Sequence, residues 1–165
     1  MLEIRNILVP IDFHEHSEAL VDMALFITQK LGAAQTTFIH VMPQLPDYSD
    51  YKPDTLKQLE ASFLAHAESK MTALMGTVKG RVHGIDGVVV SGETADTLLA
   101  YAREQHVDLI IIATHGSQGI EKVLLGSVAE RVIKGAPCPT LVFNPFNKER
   151  GYEVCKPLSS CVQSV

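Results

Sequence analysis

Leu109-Ile110-Ile111-Ile112-Ala113 runs straight into Thr114-His115-Gly116, and ten residues beyond Gly116 the chain reads Gly126-Ser127-Val128-Ala129-Glu130. Five consecutive apolar residues, three of them β-branched, cannot alternate between core and solvent, so they read as a strand covered on both faces. A glycine-bearing loop then leads into a helix. Four further segments have the same character: residues 7–11, 36–41, 88–91 and Thr140–Phe143. Helical patterns lie between them. Leu20, Ala24, Ile27 and Leu31 recur at spacings of four, three and four, with Ser17 placed to cap the start and Gly32 to end the last turn. Residues 42–54 hold Pro43, Pro46 and Pro53 and read as an irregular loop. A long stripe follows, Leu56, Leu59, Phe63, Ala67, Met71, Leu74 and Val78, expected to face the core. Shorter helices are expected over 94–105, through Leu98 and Ala102, and over 128–134. Strands alternating with helices predict an α/β fold, a doubly wound five-stranded parallel sheet with helices on both faces and right-handed crossovers. Such sheets take ligands outside the strand C-termini, where the strand order reverses, so the loops to inspect are 12–16, 40–51, 91–93 and 114–126.

The gross numbers narrow the function. A chain of 165 residues that is 46% hydrophobic suits one domain with its own core. Its formal net charge of −5, with no lysine- or arginine-rich run, argues against binding nucleic acid through the phosphate backbone. No apolar stretch approaches the ~20 residues of a membrane span, and the opening Met-Leu-Glu-Ile-Arg-Asn reads as the approach to a first strand, not as a signal peptide. Cys138, Cys155 and Cys161 form neither an even disulfide framework nor a Cys-x-x-Cys metal pattern, which points to a reducing cytoplasm. No membrane or nucleic-acid partner is expected.

Chemistry concentrates on the loop after the fourth strand. Glycine lets backbone amides approach an anion, and a helix N-terminus presents unpaired N–H groups at the positive end of its dipole, so Gly116 and Gly126-Ser127 together can form a phosphate cradle. Ser127 and Glu130, three residues apart, also fit a capping box, a structural role compatible with phosphate contact. No lysine follows Gly126 and no Gly-x-Gly-x-x-Gly follows the first strand, so neither a P-loop nor a dinucleotide fingerprint is present. His14, His16, His40 and His115 are expected in loops at one end of the sheet, but their spacing matches no metal motif. His115 could donate to a phosphate when protonated. No esterase elbow, kinase signature or His-Glu-x-x-His occurs, and no nucleophile with its base can be assigned, so catalytic turnover is not expected.

These residues resemble the universal stress protein family. The resemblance runs from about Ile4 to Phe143 and rests on Ile7-Leu8-Val9-Pro10-Ile11-Asp12-Phe13, Ser17-Glu18-Ala19-Leu20, His40-Val41, Gly92, Asp108-Leu109-Ile110-Ile111, Thr114-His115-Gly116, Leu124-Leu125-Gly126-Ser127-Val128-Ala129-Glu130 and Ala136-Pro137-Cys138-Pro139. It implies a Rossmann-like fold of the adenine nucleotide alpha hydrolase-like type over residues 1–145, with 146–165 as a C-terminal extension. The family's nucleotide-binding members carry Gly, two residues, Gly, nine residues, Gly, then Ser or Thr; here Gly116, the nine residues 117–125 and Gly126-Ser127 match, while Ala113 stands at the first glycine. By resemblance, Pro10, Ile11, Asp12 and Val41 would line an adenine site. Ala113, Thr114, His115 and Gly116 would approach ribose and phosphate, and Gly126, Ser127 and Val128 would hold the phosphates of ATP, with Mg²⁺ carried by the nucleotide. A carboxylate at Asp12 accepts from the exocyclic amine of adenine but would face the carbonyl of guanine unfavourably; Asp12 as an end-of-strand turn residue is the alternative. The resemblance also implies a homodimer through the edge strand Thr140–Phe143 and a role in stress response with at most slow ATP hydrolysis. Members lacking an intact glycine motif work without nucleotide, so a nucleotide-free interaction protein remains the second reading.

Overall fold

The computed structural model describes residues 3–14, 17–44, 53–114 and 125–145. The chain forms β1 (Asn6–Pro10), α1 (Ser17–Leu31), β2 (Gln35–Met42), α2 (Pro53–Val78), β3 (Ile85–Ser91), α3 (Thr94–Glu104), β4 (Leu109–Ala113), α4 (Ser127–Gly135) and β5 (Thr140–Phe143). All five strands are parallel, in the order β3-β2-β1-β4-β5, the doubly wound sheet expected from the sequence. The order reverses beside β1: the chain leaves it for β2 on one side and later returns to β4 on the other.

The pleat sends alternate residues to two cores. Ile7, Val9, Ile11, Phe38, Leu109 and Ile111 meet Leu20, Val21, Ala24 and Leu25 of α1 and Met71 and Val78 of α2. Leu8, Ile39, Val41, Ile110 and Ile112 meet Ala95, Leu98 and Ala102 of α3 and Ala129 and Val132 of α4. Each fully buried Val, Leu, Ile, Phe or Met side chain among these contributes about 1.5–3 kcal/mol. Within the first core, the Thr28 hydroxyl donates to the Ala24 carbonyl (2.8 Å) and therefore accepts from Thr36 (2.8 Å), satisfying two buried polar groups.

Several boundaries differ from the sequence reading for identifiable reasons. β3 begins at Ile85, not residue 88, because Ile85, Asp86 and Gly87 pair with Thr36, Thr37 and Phe38 of β2; α2 lies over Gly87, where a Cβ would be 2.7 Å from the Met71 sulfur. A non-apolar residue in the run is thus a packing requirement, not a strand end. Gly32 does end α1, with φ +63 and the Ala33 N–H closing on the Thr28 carbonyl at 3.1 Å. The expected loop 42–54 is shorter at both ends: Met42 belongs to β2 and Pro53 opens α2, the helix position proline suits best. The rest of that loop, 45–52, lies outside the described residues, as do His16, His115, Gly116 and the tail with Cys155 and Cys161. The α2 stripe is core only in its second half. Ala67, Met71 and Val78 are buried, whereas Leu59 and Phe63 are 42% and 50% exposed. Length explains it: 26 helical residues span about 39 Å and the eight of β2 about 26 Å, so the helix overhangs the sheet. Among the described residues no helix is long and apolar enough to cross a membrane.

Candidate functional site

β1 and β4 are bound together at one end and part at the other. At the start, the Asp108 carboxylate accepts the backbone N–H groups of Arg5 and Asn6 (2.9 Å each), and the Asp108 N–H donates to the Asn6 carbonyl (2.9 Å). Further along, β1 pairs with β2 over all five of its residues but with β4 only at Ile7 and Leu8. Pro10 supplies a physical reason. Successive N–H groups of a strand point to opposite sides, and that of Ile11 goes to β2, at 2.8 Å from the Ile39 carbonyl. Position 10 therefore faces β4, and proline has no N–H to donate there. The ladder stops, and a crevice opens between β1 and β4 at the point where the strand order reverses.

The residues expected at a site rim this crevice from three sides. Pro10, Ile11 and Asp12 come from the end of β1, Ala113 and Thr114 from the end of β4, and Gly126, Ser127 and Val128 from the start of α4. Val41 is buried beside them on β2, in the core under α3 and α4. Thr114 is the staple of the group. Its N–H donates to the Phe143 carbonyl of β5 (2.8 Å) and its carbonyl accepts the Gly126 N–H (2.7 Å), so β4, β5 and α4 meet at one buried residue. Ala113 pairs with Phe143 and, half-buried, packs against the first core.

Two expectations about caps change. Ser127 is the first residue of α4, not its cap; Gly126 holds the cap position with φ −74 and ψ 155 and contributes no side-chain cap bond. The Ser127–Glu130 box does not form because the cap is Gly126, which leaves Glu130 one residue beyond the position a capping box needs: its N–H reaches the Gly126 carbonyl (2.9 Å) and its side chain pairs with Lys134 (2.6 Å). That hydrogen bond and charge hold the Glu130 carboxyl below its ordinary value. The amides of Ser127, Val128 and Ala129 have no intrahelical acceptor by helix geometry, so the helix meets the crevice with donors and the positive end of its dipole. Because the Gly126 N–H is already spent on Thr114, an anion here would be held by the amides after Gly126. Ser17, likewise, is the first residue of α1: its N–H donates to the His14 carbonyl (2.9 Å) and its hydroxyl to Asp12 Oδ1 (2.8 Å).

Asp12 Oδ1 also accepts the His14 N–H at 3.1 Å, the bond of an Asx turn. The turn role and an acceptor role coexist, since no described residue hydrogen-bonds Oδ2. His40 is not in a loop as expected; it stands within β2, half-buried, with its ring Nδ1 2.7 Å from the Ile11 carbonyl. Nothing local in the sequence marks that contact, which joins residues 29 apart. Also absent from the sequence reading is the link between α4 and α3, where Arg131 bridges Glu93 and Asp96 (2.7 Å each) while the other oxygen of Glu93 caps α3 at the Asp96 N–H (2.9 Å). Its guanidinium is thereby held on α3. Among the described residues no three His, Cys, Asp or Glu side chains converge as metal ligands.

Fold and site together define a parallel, doubly wound α/β domain with a crevice at its switch point and, on one wall, a helix N-terminus whose cap, Gly126, makes no side-chain bond. The model of the universal stress protein family matches residues 3–144, and the chain belongs to that family. It is 46% identical over 61 residues to a universal stress protein of Methanocaldococcus jannaschii, a match covering 37% of this chain and 36% of that protein. A universal stress protein of Thermus aquaticus is 28% identical over 141 residues, 84% of this chain and 97% of the relative. Among solved structures, universal stress protein UspA from Lactobacillus plantarum superposes with a TM-score of 0.75 at 26% identity, over 86% of this chain and 98% of that one. Two more distant structures share the fold and carry adenine nucleotides: a universal stress protein in complex with cAMP (TM-score 0.62, 21% identity, 87% and 98% covered) and one from Archaeoglobus fulgidus in complex with dAMP (0.57, 17%, 86% and 98%).

Proposed function

We propose that this chain is an adenine-nucleotide-binding regulator acting in the cytoplasm in stress response, with ATP in the crevice between β1 and β4. One observation carries the reading: α4 starts beside the crevice from a glycine cap that makes no side-chain bond, and its first amides have no intrahelical acceptor. A phosphate is the ligand that such a terminus favours through both hydrogen bonds and dipole. Ser127 and Val128 would hold phosphate oxygens, with Gly116 and His115 beside them and Ala113 and Thr114 toward the ribose. Pro10, Ile11 and Val41 would contact the base, and Asp12 Oδ2 would accept the exocyclic amine. Mg²⁺ would arrive with the phosphates and keep most of its waters. The cAMP and dAMP complexes of structures with this fold support an adenine ligand.

The regulator would work as a homodimer. β5 is an edge strand whose Val142 is 41% exposed, and an uncovered edge invites pairing with a second copy. The extension 146–165 would lie outside this nucleotide-binding domain. Ala113 in place of a glycine favours a second reading, an interaction protein that works through its dimer surface without nucleotide. Calorimetry with ATP and Mg²⁺, on protein stripped of copurified ligand, separates the two. Saturable binding is expected; no heat from folded, stripped dimer would give the second reading its place.

A further inference from the structure

We propose that His40 is a positioning residue that sets the Asp12 carboxylate for choosing adenine over guanine, an inference that rests on the nucleotide reading above. His40 touches both neighbours of Asp12 and forms no hydrogen bond with Asp12 itself. Its Nδ1 meets the Ile11 carbonyl at 2.7 Å, and since a carbonyl only accepts, that nitrogen carries the proton. Its ring packs on Phe13, with centroids 4.7 Å apart and planes tilted by 43°. Phe13 sits at φ 60, the left-handed region that residues with a Cβ adopt only when their surroundings hold them there. Lys70 of α2 adds a contact to the same ring, 5.9 Å from its centroid.

The consequence falls on Asp12. Ile11 before it is tied to β2 twice, by its N–H to Ile39 and by its carbonyl to His40. Phe13 after it is held in an otherwise unfavourable conformation by the His40 and Lys70 contacts. With Oδ1 engaged by Ser17 and His14, the direction of Oδ2 is set by the backbone that His40 clamps. A carboxylate oxygen fixed in this way accepts the adenine amine, whereas guanine in the same pose brings a carbonyl oxygen against it. A loosened carboxylate could turn away from that carbonyl, so discrimination requires that it be held.

The test compares wild type with His40→Phe, which keeps an aromatic ring on Phe13 but has no donor for Ile11. Calorimetry gives affinities for ATP, GTP and inorganic tripolyphosphate, and thermal denaturation checks the fold. The GTP-to-ATP ratio of dissociation constants should fall about tenfold in His40→Phe, with tripolyphosphate affinity unchanged, and His40→Asn, which restores a donor, should recover part of it. An unchanged ratio in His40→Phe overturns the proposal. If that variant does not fold, Phe13→Gly suits φ 60 and removes the ring; the same loss of discrimination is expected, and an unchanged ratio again overturns it. Wild type that binds neither ATP nor tripolyphosphate overturns the proposal by removing the nucleotide reading itself, a failure distinct from nucleotide binding that His40 does not influence.

Discussion

Replacing Gly126 with aspartate should move stability and ligand binding in opposite directions. The backbone at Gly126, φ −74 and ψ 155, is an ordinary extended conformation that any L-residue adopts, so the change adds no backbone strain. At the cap of α4, where glycine makes no side-chain bond, an aspartate can accept from the Val128 or Ala129 amide and gain a few tenths of a kcal/mol. The same carboxylate then occupies donors that a phosphate needs and places a negative charge within about 5 Å of it. At an effective dielectric of ~20, that repulsion is about 3 kcal/mol per unit of phosphate charge. ATP affinity should therefore fall at least about a hundredfold, while the melting temperature holds or rises. Gly126→Ala, which adds neither charge nor acceptor, should lose far less. Calorimetry with ATP and Mg²⁺ beside thermal denaturation reads both quantities. Affinity in Gly126→Asp within about threefold of wild type, in a protein that still folds, would refute the placement of phosphate on α4.

Other expectations follow from the hydrogen-bond geometry and burial. Thr28→Val should cost about 1–3 kcal/mol, because it strips the acceptor from the buried Thr36 hydroxyl; adding Thr36→Val should recover much of that loss, and urea denaturation of the single and double variants gives the coupling. Asp108→Ala removes the acceptor shared by Arg5 and Asn6 and should destabilise the fold by about 1–2 kcal/mol, lowering the melting temperature by a few degrees without changing the ratio of ATP to GTP affinity. Burial, with a further contribution from the charge of Asp108, raises the Cys138 thiol above its ordinary value, so its thiolate is scarce near pH 7. Alkylation of Cys138 by iodoacetamide, followed by peptide mass spectrometry, should be slower than that of free cysteine and keep accelerating beyond pH 9; reaction at the free-cysteine rate near pH 7 would contradict the burial.

The sequence by itself determined the class of fold and the end of the sheet that carries the candidate site. Unbroken apolar runs such as Leu109–Ala113 signal strands covered on both faces, and period, caps and crossover handedness then leave little choice of topology. These signals are local, so they survive without coordinates. Pro10, Asp12, Ala113 and Gly126 could all be named because each ends a strand, lies just past one or caps a helix. Tertiary structure decided what depends on partners far along the chain. Whether Leu59 and Phe63 are core depends on where the sheet ends beneath α2, which helical periodicity does not encode. Gly87 is a strand residue because it pairs with Phe38 of β2, and Met71 over it leaves no room for a side chain. Likewise the roles of His40 and Arg131 rest on contacts 29 and 35–38 residues away, created only when β1 meets β2 and α4 meets α3. Even the crevice required both: a proline readable in the sequence, and a neighbouring β4 toward which its missing N–H would have pointed.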